Sequence, residues 1–323
     1  MLRLLGHIYG KIASLRNLLY DKGIIESNAL GARTISVGNI TAGGTGKTPL
    51  VAYVAEILAA RGETVCILTR GYGRENANER VLVSDGNTVF ADASSGGDEP
   101  VELAHRLLGK AIVIADADRV AAAEWATRKF GITGFVLDDA FQHRKAKRDV
   151  DIVCIDATDP FGGGKMLPSG RLREPLENLS RADVVVITRS ELADDIAGSK
   201  AMIRQIAPHA SIFESRASIR RLDLLSAKPA FAFCGIGNPA SFFAMLRNAN
   251  VELVGMQEFR DHHRYSRQDI DSIGKGAADA GAQVLLTTAK DAVKLDKESF
   301  TLPLVIVGID VEIDDAQIFA ELL

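Results

Sequence analysis

The segment Thr41-Ala42-Gly43-Gly44-Thr45-Gly46-Lys47-Thr48 follows a short β-branched run and opens a helical stretch. That order suits a phosphate cradle: glycines let backbone N–H groups turn inward, a lysine sets a point charge against β and γ oxygens, and a threonine hydroxyl can ligate Mg2+. Gly43, Gly44, Thr45, Gly46, Lys47 and Thr48 are therefore the expected nucleotide-binding residues. Thr41 stands where the usual pattern has its first glycine. A plain glycine turn between strand and helix is the alternative, and Gly-Lys-Thr at the helix start disfavours it.

Two acidic pairs complete the phosphoryl-transfer chemistry. Asp138 and Asp139 end an apolar strand-like run, where adjacent carboxylates are costly to bury unless they meet charge such as Mg2+. Asp98 and Glu99 follow Gly96-Gly97 and precede Pro100 at a probable helix start. One of them can bind metal while the other accepts a proton from an attacking hydroxyl. Simple capping explains either pair in isolation. A partitioning ATPase would carry a second lysine at Ala42. A GTPase would carry Asn-Lys-x-Asp, whereas the nearest string, Thr288-Ala289-Lys290-Asp291, sets Lys and Asp side by side.

These groups need a scaffold that gathers strand ends. Runs at 34–37, 65–68, 112–115, 135–137, 152–155 and 184–187 read as buried strands, with helical stretches at 48–61, 101–108 and 119–130. The alternation predicts an α/β fold, a P-loop NTPase-like mostly parallel sheet covered on both faces. Asp85-Gly86-Asn87 signals a hairpin. A charged stretch at 215–228, with Arg216, Arg220, Arg221 and Asp223, reads as a connection. A second, smaller α/β unit follows, with strands expected at 230–234, 251–255, 284–287 and 304–307 and helices at 239–248, 267–280 and 314–323. The expected organisation is an N-terminal helix within 1–30, a P-loop unit over 31–215 and the smaller unit over 216–323.

A net charge of -4 and a pI near 5.9 give no general attraction to nucleic acid. Cys66, Cys154 and Cys234 are far apart in apolar stretches, which fits buried thiols in a reducing compartment and neither disulfides nor a metal-ligand spacing. No apolar run reaches roughly 18 residues, so no spanning helix is expected, and no signal peptide is read. Met1, Leu5, Ile8, Ile12, Leu15 and Leu19 recur at helical period beside Arg3, Lys11, Arg16 and Lys22. Such a helix can dock on its own domain or lie in a membrane interface, and the pattern leaves both open.

Longer strings carry a resemblance. Val37-Gly38-Asn39-Ile40 ahead of the loop, Thr69-Arg70-Gly71-Tyr72-Gly73, Gly97-Asp98-Glu99-Pro100, Asp138-Asp139-Ala140-Phe141-Gln142-His143, Leu172-Arg173-Glu174-Pro175, Gly235-Ile236-Gly237-Asn238-Pro239, Asp261-His262-His263-Arg264-Tyr265 and Lys290-Asp291-Ala292-Val293-Lys294 occur in this order. Together they resemble the tetraacyldisaccharide 4'-kinase (lipid A 4'-kinase) family nearly end to end. The resemblance implies transfer of the ATP γ-phosphoryl group to the 4'-hydroxyl of a tetraacyl glucosamine disaccharide 1-phosphate. ATP and Mg2+ are the implied cofactors, and the cleft between the two units is the implied site. A peripheral location on the cytoplasmic side of the inner membrane is implied too, reached through residues 1–22, with no nucleic acid and no obligatory protein partner.

On that reading Lys47 and the loop amides hold the nucleotide, while Thr48, Glu99, Asp138 and Asp139 hold Mg2+ directly or through water. Asp98 is the expected base, and the resemblance points to His262 as its partner from the second unit. By pattern alone a histidine pair in a polar string reads as a solvated loop. Arg70, Arg74, Arg119, Arg171 and Arg173 suit a phosphate by bidentate contact, with Tyr72, Gln142 and His143 beside them. Arg171 follows Gly170 where many relatives carry proline, so Arg173 ranks above it. His143 reads equally as a side chain satisfied against its own loop. Arg144, Lys145, Lys147 and Arg148 read as a solvated face or a lipid-headgroup contact. The rival functions are a P-loop nucleotide switch and a kinase of a soluble small molecule.

Overall fold

A computed structural model describes residues 2–220 and 228–323; Met1, Arg221 and Asp223 lie outside the described residues. The first strands are β1 (Arg33–Asn39), β2 (Val65–Thr69), β3 (Val81–Ser84), β4 (Ala111–Ala115), β5 (Gly134–Asp138), β6 (Val150–Asp156) and β7 (Val184–Thr188). All pair in parallel except β3, which turns back on β4. Period-2 alternation decides which helix covers which face. Val65 and Ile67 point into a core shared with α2 (Lys47–Ala60) and α3 (Asp98–Arg106), while Cys66 and Leu68 point into one shared with α4 (Arg119–Phe130). Asp118 caps α4 through the amides of Val120 and Ala121, and Gly131 closes it in the left-handed conformation.

Three elements have no counterpart among the expected ones: α5 (Ile196–Ile206), β8 (Ser211–Arg220) and the short α8 (Ala289–Ala292). The second matters. β8 pairs in parallel with β7 over its first half and antiparallel with β12 (Leu304–Ile313) over its second. The stretch expected as a connection from residue 215 therefore begins as a strand, because Arg216 and Arg220 sit at an exposed sheet position where charge is tolerated. Beyond it come β9 (Ala230–Cys234), α6 (Pro239–Asn248), β10 (Leu253–Glu258), α7 (Arg267–Asp279), β11 (Val284–Thr288), α8 (Ala289–Ala292) and α9 (Ala316–Leu322). One sheet of order β10-β9-β11-β12-β8-β7-β6-β1-β5-β2-β4-β3 results. Phe319 and Leu323 at the chain's end return to the core of the P-loop unit.

The N-terminal helix α1 (Leu2–Asp21) docks by its small and polar residues. A Cβ on Gly6 would lie 2.7 Å from Ser169 Oγ, Asn17 donates to Glu174 at 2.9 Å, and Arg144 grips Asp21 at 2.7 Å. The apolar row faces outward instead, with Leu4, Ile12 and Leu15 exposed by 64%, 62% and 58%. Docking of that row on its own domain is thereby overturned: the glycines allow the close approach, and the leucines are left over. Among the described residues no helix is long and apolar enough to cross a membrane.

Candidate active site

The phosphate loop leaves β1 and enters α2. Asn39 fixes its shape, donating to Thr41 O at 2.7 Å and Thr45 Oγ1 at 2.9 Å. Gly43 and Gly46 take positive φ angles of 116° and 74°, which glycine adopts without strain. Thr188, at the end of β7, donates to Thr45 O at 3.0 Å, and Arg189 donates to Gly44 O at 2.9 Å while paired with Asp156. Every backbone carbonyl so tied leaves the loop amides free to face a ligand. The loop forms part of the wall of a cavity of about 760 Å³.

Opposite the loop, α3 begins with Asp98 and Glu99. His262, in left-handed conformation after β10, brings Nδ1 to 2.8 Å from Asp98 Oδ2. Lys290 of α8 reaches Glu99 at 3.0 Å, Asp261 at 3.3 Å and His262 Nε2 at 3.3 Å. A lysine is only a donor, so this network assigns the tautomer with the proton on Nδ1, shared with Asp98, and a free pair on Nε2. Burial opposes ionisation of Asp98, but His262, Lys290 and Lys294 outweigh it and hold its carboxyl below the usual range. The hydrogen bond that His262 donates to Asp98 raises the imidazole above its ordinary value. His262 and Glu99 line the cavity; Asp98 sits one layer behind them, 6% exposed.

Asp138 and Asp139 differ sharply. Asp138 accepts from Thr69 Oγ1 at 2.9 Å, and burial with the charges of Glu99 and Asp139 pushes its carboxyl up to about 7. Asp139, at φ 50°, is met by Lys47 at 3.6 Å and Arg173 at 2.7 Å; burial raises it, and these cations bring it below the usual value. No three His, Cys, Asp or Glu among the described residues are grouped to hold a metal alone. The donor set of Thr48, Asp138 and Glu99 beside a phosphate cradle instead fits a hard cation that takes further oxygens from phosphate and water. An under-neutralised buried carboxylate at Asp138 is what such an ion relieves.

The sequence-expected ligands separate into two groups. Arg70, Tyr72, Arg119, Gln142, His143 and Arg173 line the cavity. Arg119 is 3% exposed, and among the described residues its Nε and the Nε2 of His143 have no hydrogen-bond partner. Burial together with Arg119 and Arg148 pushes His143 down to about 4, leaving it neutral. Gln142 is tied to Asn39 O and Glu174, both at 2.8 Å. Arg171 is off the wall and braces the loop from outside, on Ala42 O at 2.9 Å and Asp159 at 2.7 Å. Arg74 is used on backbone carbonyls, donating to Ala115 O at the end of β4 and to Ala77 O. Arg144 and Arg148 are not a free basic face: Arg144 anchors α1, and Arg148 donates to the carbonyls of Ala140, Phe141, His143 and Ala146.

Sequence reasoning did not single out Lys290, Arg189, Glu102, Tyr9 and Arg16 as wall residues. Lys290 lay in one of the strings that carry the family resemblance, but its reach to Glu99 follows from topology. Tyr9 and Arg16 had no signal, because which face of α1 meets the cavity depends on Gly6 and Gly10.

A family model described as tetraacyldisaccharide-1-P 4'-kinase matches residues 1–323. The tetraacyldisaccharide 4'-kinase of Halothermothrix orenii is 37% identical over 97% of this chain and 88% of its own, and that of Geobacter metallireducens is 41% identical over 91% and 88%. The crystal structure of an LpxK from Aquifex aeolicus in complex with ATP superposes with a TM-score of 0.78 at 30% identity, covering 98% of this chain and 96% of that one. The chain, with its phosphate loop and the acidic and histidine side chains gathered opposite it, belongs to the tetraacyldisaccharide 4'-kinase family.

Proposed function

We propose that this kinase carries out its family's reaction in the cleft between the phosphate loop and the β9–β12 unit, with ATP as donor and Mg2+ as its ion. The observation that carries the reading is the 2.8 Å contact of His262 with Asp98 across that cleft, beside a P-loop. Lys47 and the loop amides would hold the nucleotide phosphates, and Thr48, Asp138 and Glu99 would hold Mg2+ with phosphate oxygens. Bound there, Mg2+ supplies charge neutralisation on the phosphates. Asp139 serves chiefly to set Lys47 and Arg173. The 4'-hydroxyl of the tetraacyl disaccharide 1-phosphate gives up its proton to the Asp98–His262 pair as its oxygen bonds to the γ-phosphorus and the bond from that phosphorus to the β-phosphate oxygen breaks, releasing ADP. Arg70, Arg119 and Arg173, with Tyr72, Gln142 and His143, suit the anionic sugar headgroup.

The two units, 31–215 and 216–323, act as the halves of this clamp. The outward leucines of α1, beside Tyr9 and Arg16 on the cavity wall, support docking of residues 1–22 on the inner-membrane surface from the cytoplasmic side. The test is transfer of labelled γ-phosphate from ATP to the disaccharide 1-phosphate in detergent micelles, comparing wild type with Asp98→Ala. Labelled lipid from wild type and a loss of at least roughly 100-fold in the variant are expected. Equal turnover by both would remove the pair from the mechanism, and turnover only on soluble acceptors would favour a soluble-substrate kinase.

A further inference from the structure

Behind the Asp98–His262 pair lies a buried charge cluster that the reaction as described does not use. Lys294 is 8% exposed, and its Nζ lies 2.8 Å from Asp291 Oδ1 and 3.9 Å from Asp98 Oδ2. Asp291 is fully buried and saturated: its Oδ2 accepts from the Gly235 amide at 2.9 Å and from Thr288 Oγ1 at 2.7 Å. The ring of Tyr265 lies 5.5 Å from the ammonium. Lys290 lines the cavity and Lys294 does not. Any ligand is met by Lys290, and Lys294 reaches the chemistry only through Asp98.

We infer that Lys294 is a positioning residue for phosphoryl transfer, an ammonium clamped by Asp291 that fixes Asp98 Oδ2, and through it His262, in the closed cleft. Both groups that face Oδ2 come from the second unit: His262, from the loop after β10, by a hydrogen bond, and Lys294, from the turn after α8, by its charge at 3.9 Å. Oδ1 accepts the Glu99 amide at 3.0 Å. A carboxylate gripped on both oxygens keeps the imidazole ring from swinging about the single 2.8 Å bond. The alternative is that Lys294 only neutralises Asp291 and holds the fold, since a buried carboxylate stripped of its partner is strongly destabilising.

Two variants separate these roles. Lys294→Gln alone strands Asp291, and a drop in melting temperature is expected. The double variant Asp291→Asn, Lys294→Gln removes both charges and keeps an acceptor for Gly235 and Thr288. Positioning predicts that the double variant melts within a few degrees of wild type, binds ATP with unchanged KM, and still loses at least roughly tenfold in kcat. Wild-type kcat in that well-folded variant would overturn the inference. The inference rests on the Asp98–His262 pair handling the proton, so the substitutions are repeated on Asp98→Asn, assayed by single turnover with enzyme in excess. Loss of the tenfold effect there means Lys294 acts through Asp98, whereas an undiminished effect overturns that route. Near wild-type turnover of Asp98→Asn itself would instead remove the pair reading, and Lys294 with it.

Discussion

Gly237 of the β9–α6 loop meets Gly44 of the phosphate loop so closely that a Cβ on Gly237 would lie 3.0 Å from the Gly44 amide nitrogen. The obstacle is backbone, which cannot rotate away as a side chain can. Gly237→Ala is therefore expected to hold the cleft open or displace the loop, raising the KM for ATP and lowering kcat/KM by about tenfold. Gly274→Ala is the control, since α7 leaves open space at that position. It should leave kinetics alone and stabilise the helix by about 0.5–1 kcal/mol. Steady-state kinetics and thermal melts on the two variants check both, and normal kinetics for Gly237→Ala would show that the two loops need not touch during turnover.

His262→Ala is expected to lower kcat by roughly 100-fold or more while moving the KM for ATP by less than about threefold. The ring contacts Asp98 and Lys290 and lies 5.2 Å from Tyr72, and none of these belongs to the phosphate loop. A large rise in the KM for ATP with kcat intact would mean that the histidine serves nucleotide binding or closure and not the proton.

Asp138 and Asp139 should separate in a titration with Mg2+. Asp138→Asn removes a buried carboxylate that accepts from Thr69 and has no ion pair among the described residues, so the Mg2+ concentration for half-maximal turnover should rise at least roughly tenfold. Asp139→Asn frees Lys47 and Arg173 and should act mainly on ATP affinity. The reverse pattern would exchange the two assignments. Chelation of divalent ions should abolish turnover in wild type.

The parallel sheet of the P-loop unit was legible because β-branched runs buried on both faces leave a continuous apolar signal, as at Val65–Thr69 and Val184–Thr188. The phosphate loop and both acidic pairs were legible for a related reason: glycines beside lysine, carboxylates closing an apolar strand and carboxylates opening a helix after paired glycines are local facts. β8 was not legible, since half of it pairs with a strand about 90 residues later and its exposed arginines look like linker. The partner of Asp98, His262, was reached only through the family resemblance, and the partner of Glu99 was not legible. Lys290 meets Glu99 only because β11 ends facing α3, a relation of topology and not of spacing. On α1 the helical period was legible, but whether its apolar row packs on the domain or faces outward was not, because docking by Gly6 and Gly10 inverts the rule that the apolar row is the buried one.

That inversion is testable. Replacing Leu5, Ile12 and Leu15 by Ser together should leave the melting temperature within a few degrees, because all three are exposed. The same triple should reduce sedimentation with anionic phospholipid vesicles, and turnover on vesicle-borne substrate, by at least about tenfold. Gly6→Val should do the opposite, lowering stability by collision with Ser169 and Met166 while retaining the apolar face. Equal vesicle binding by the triple variant would show that the face has another occupant.

His143 gives a pH dependence of known sign. Its folded value is pushed down to about 4 from the ordinary 6.5, chiefly by burial and then by Arg119 and Arg148. Above the ordinary value both folded and unfolded states are neutral there, and the imidazole adds no slope. As the pH falls from 6.5 toward 4 the unfolded chain takes up a proton that the folded site resists, so the stability contributed by the neutral ring is progressively lost. In the ligand-free protein His143→Gln should flatten that acid loss by on the order of 1 kcal/mol between pH 7 and 5, a figure reduced for partial solvent access. Denaturant melts of the two proteins at both pH values measure it. An unchanged slope would mean that the ring accepts its proton in the folded state, which would make His143 a cation in the cavity and a direct phosphate contact.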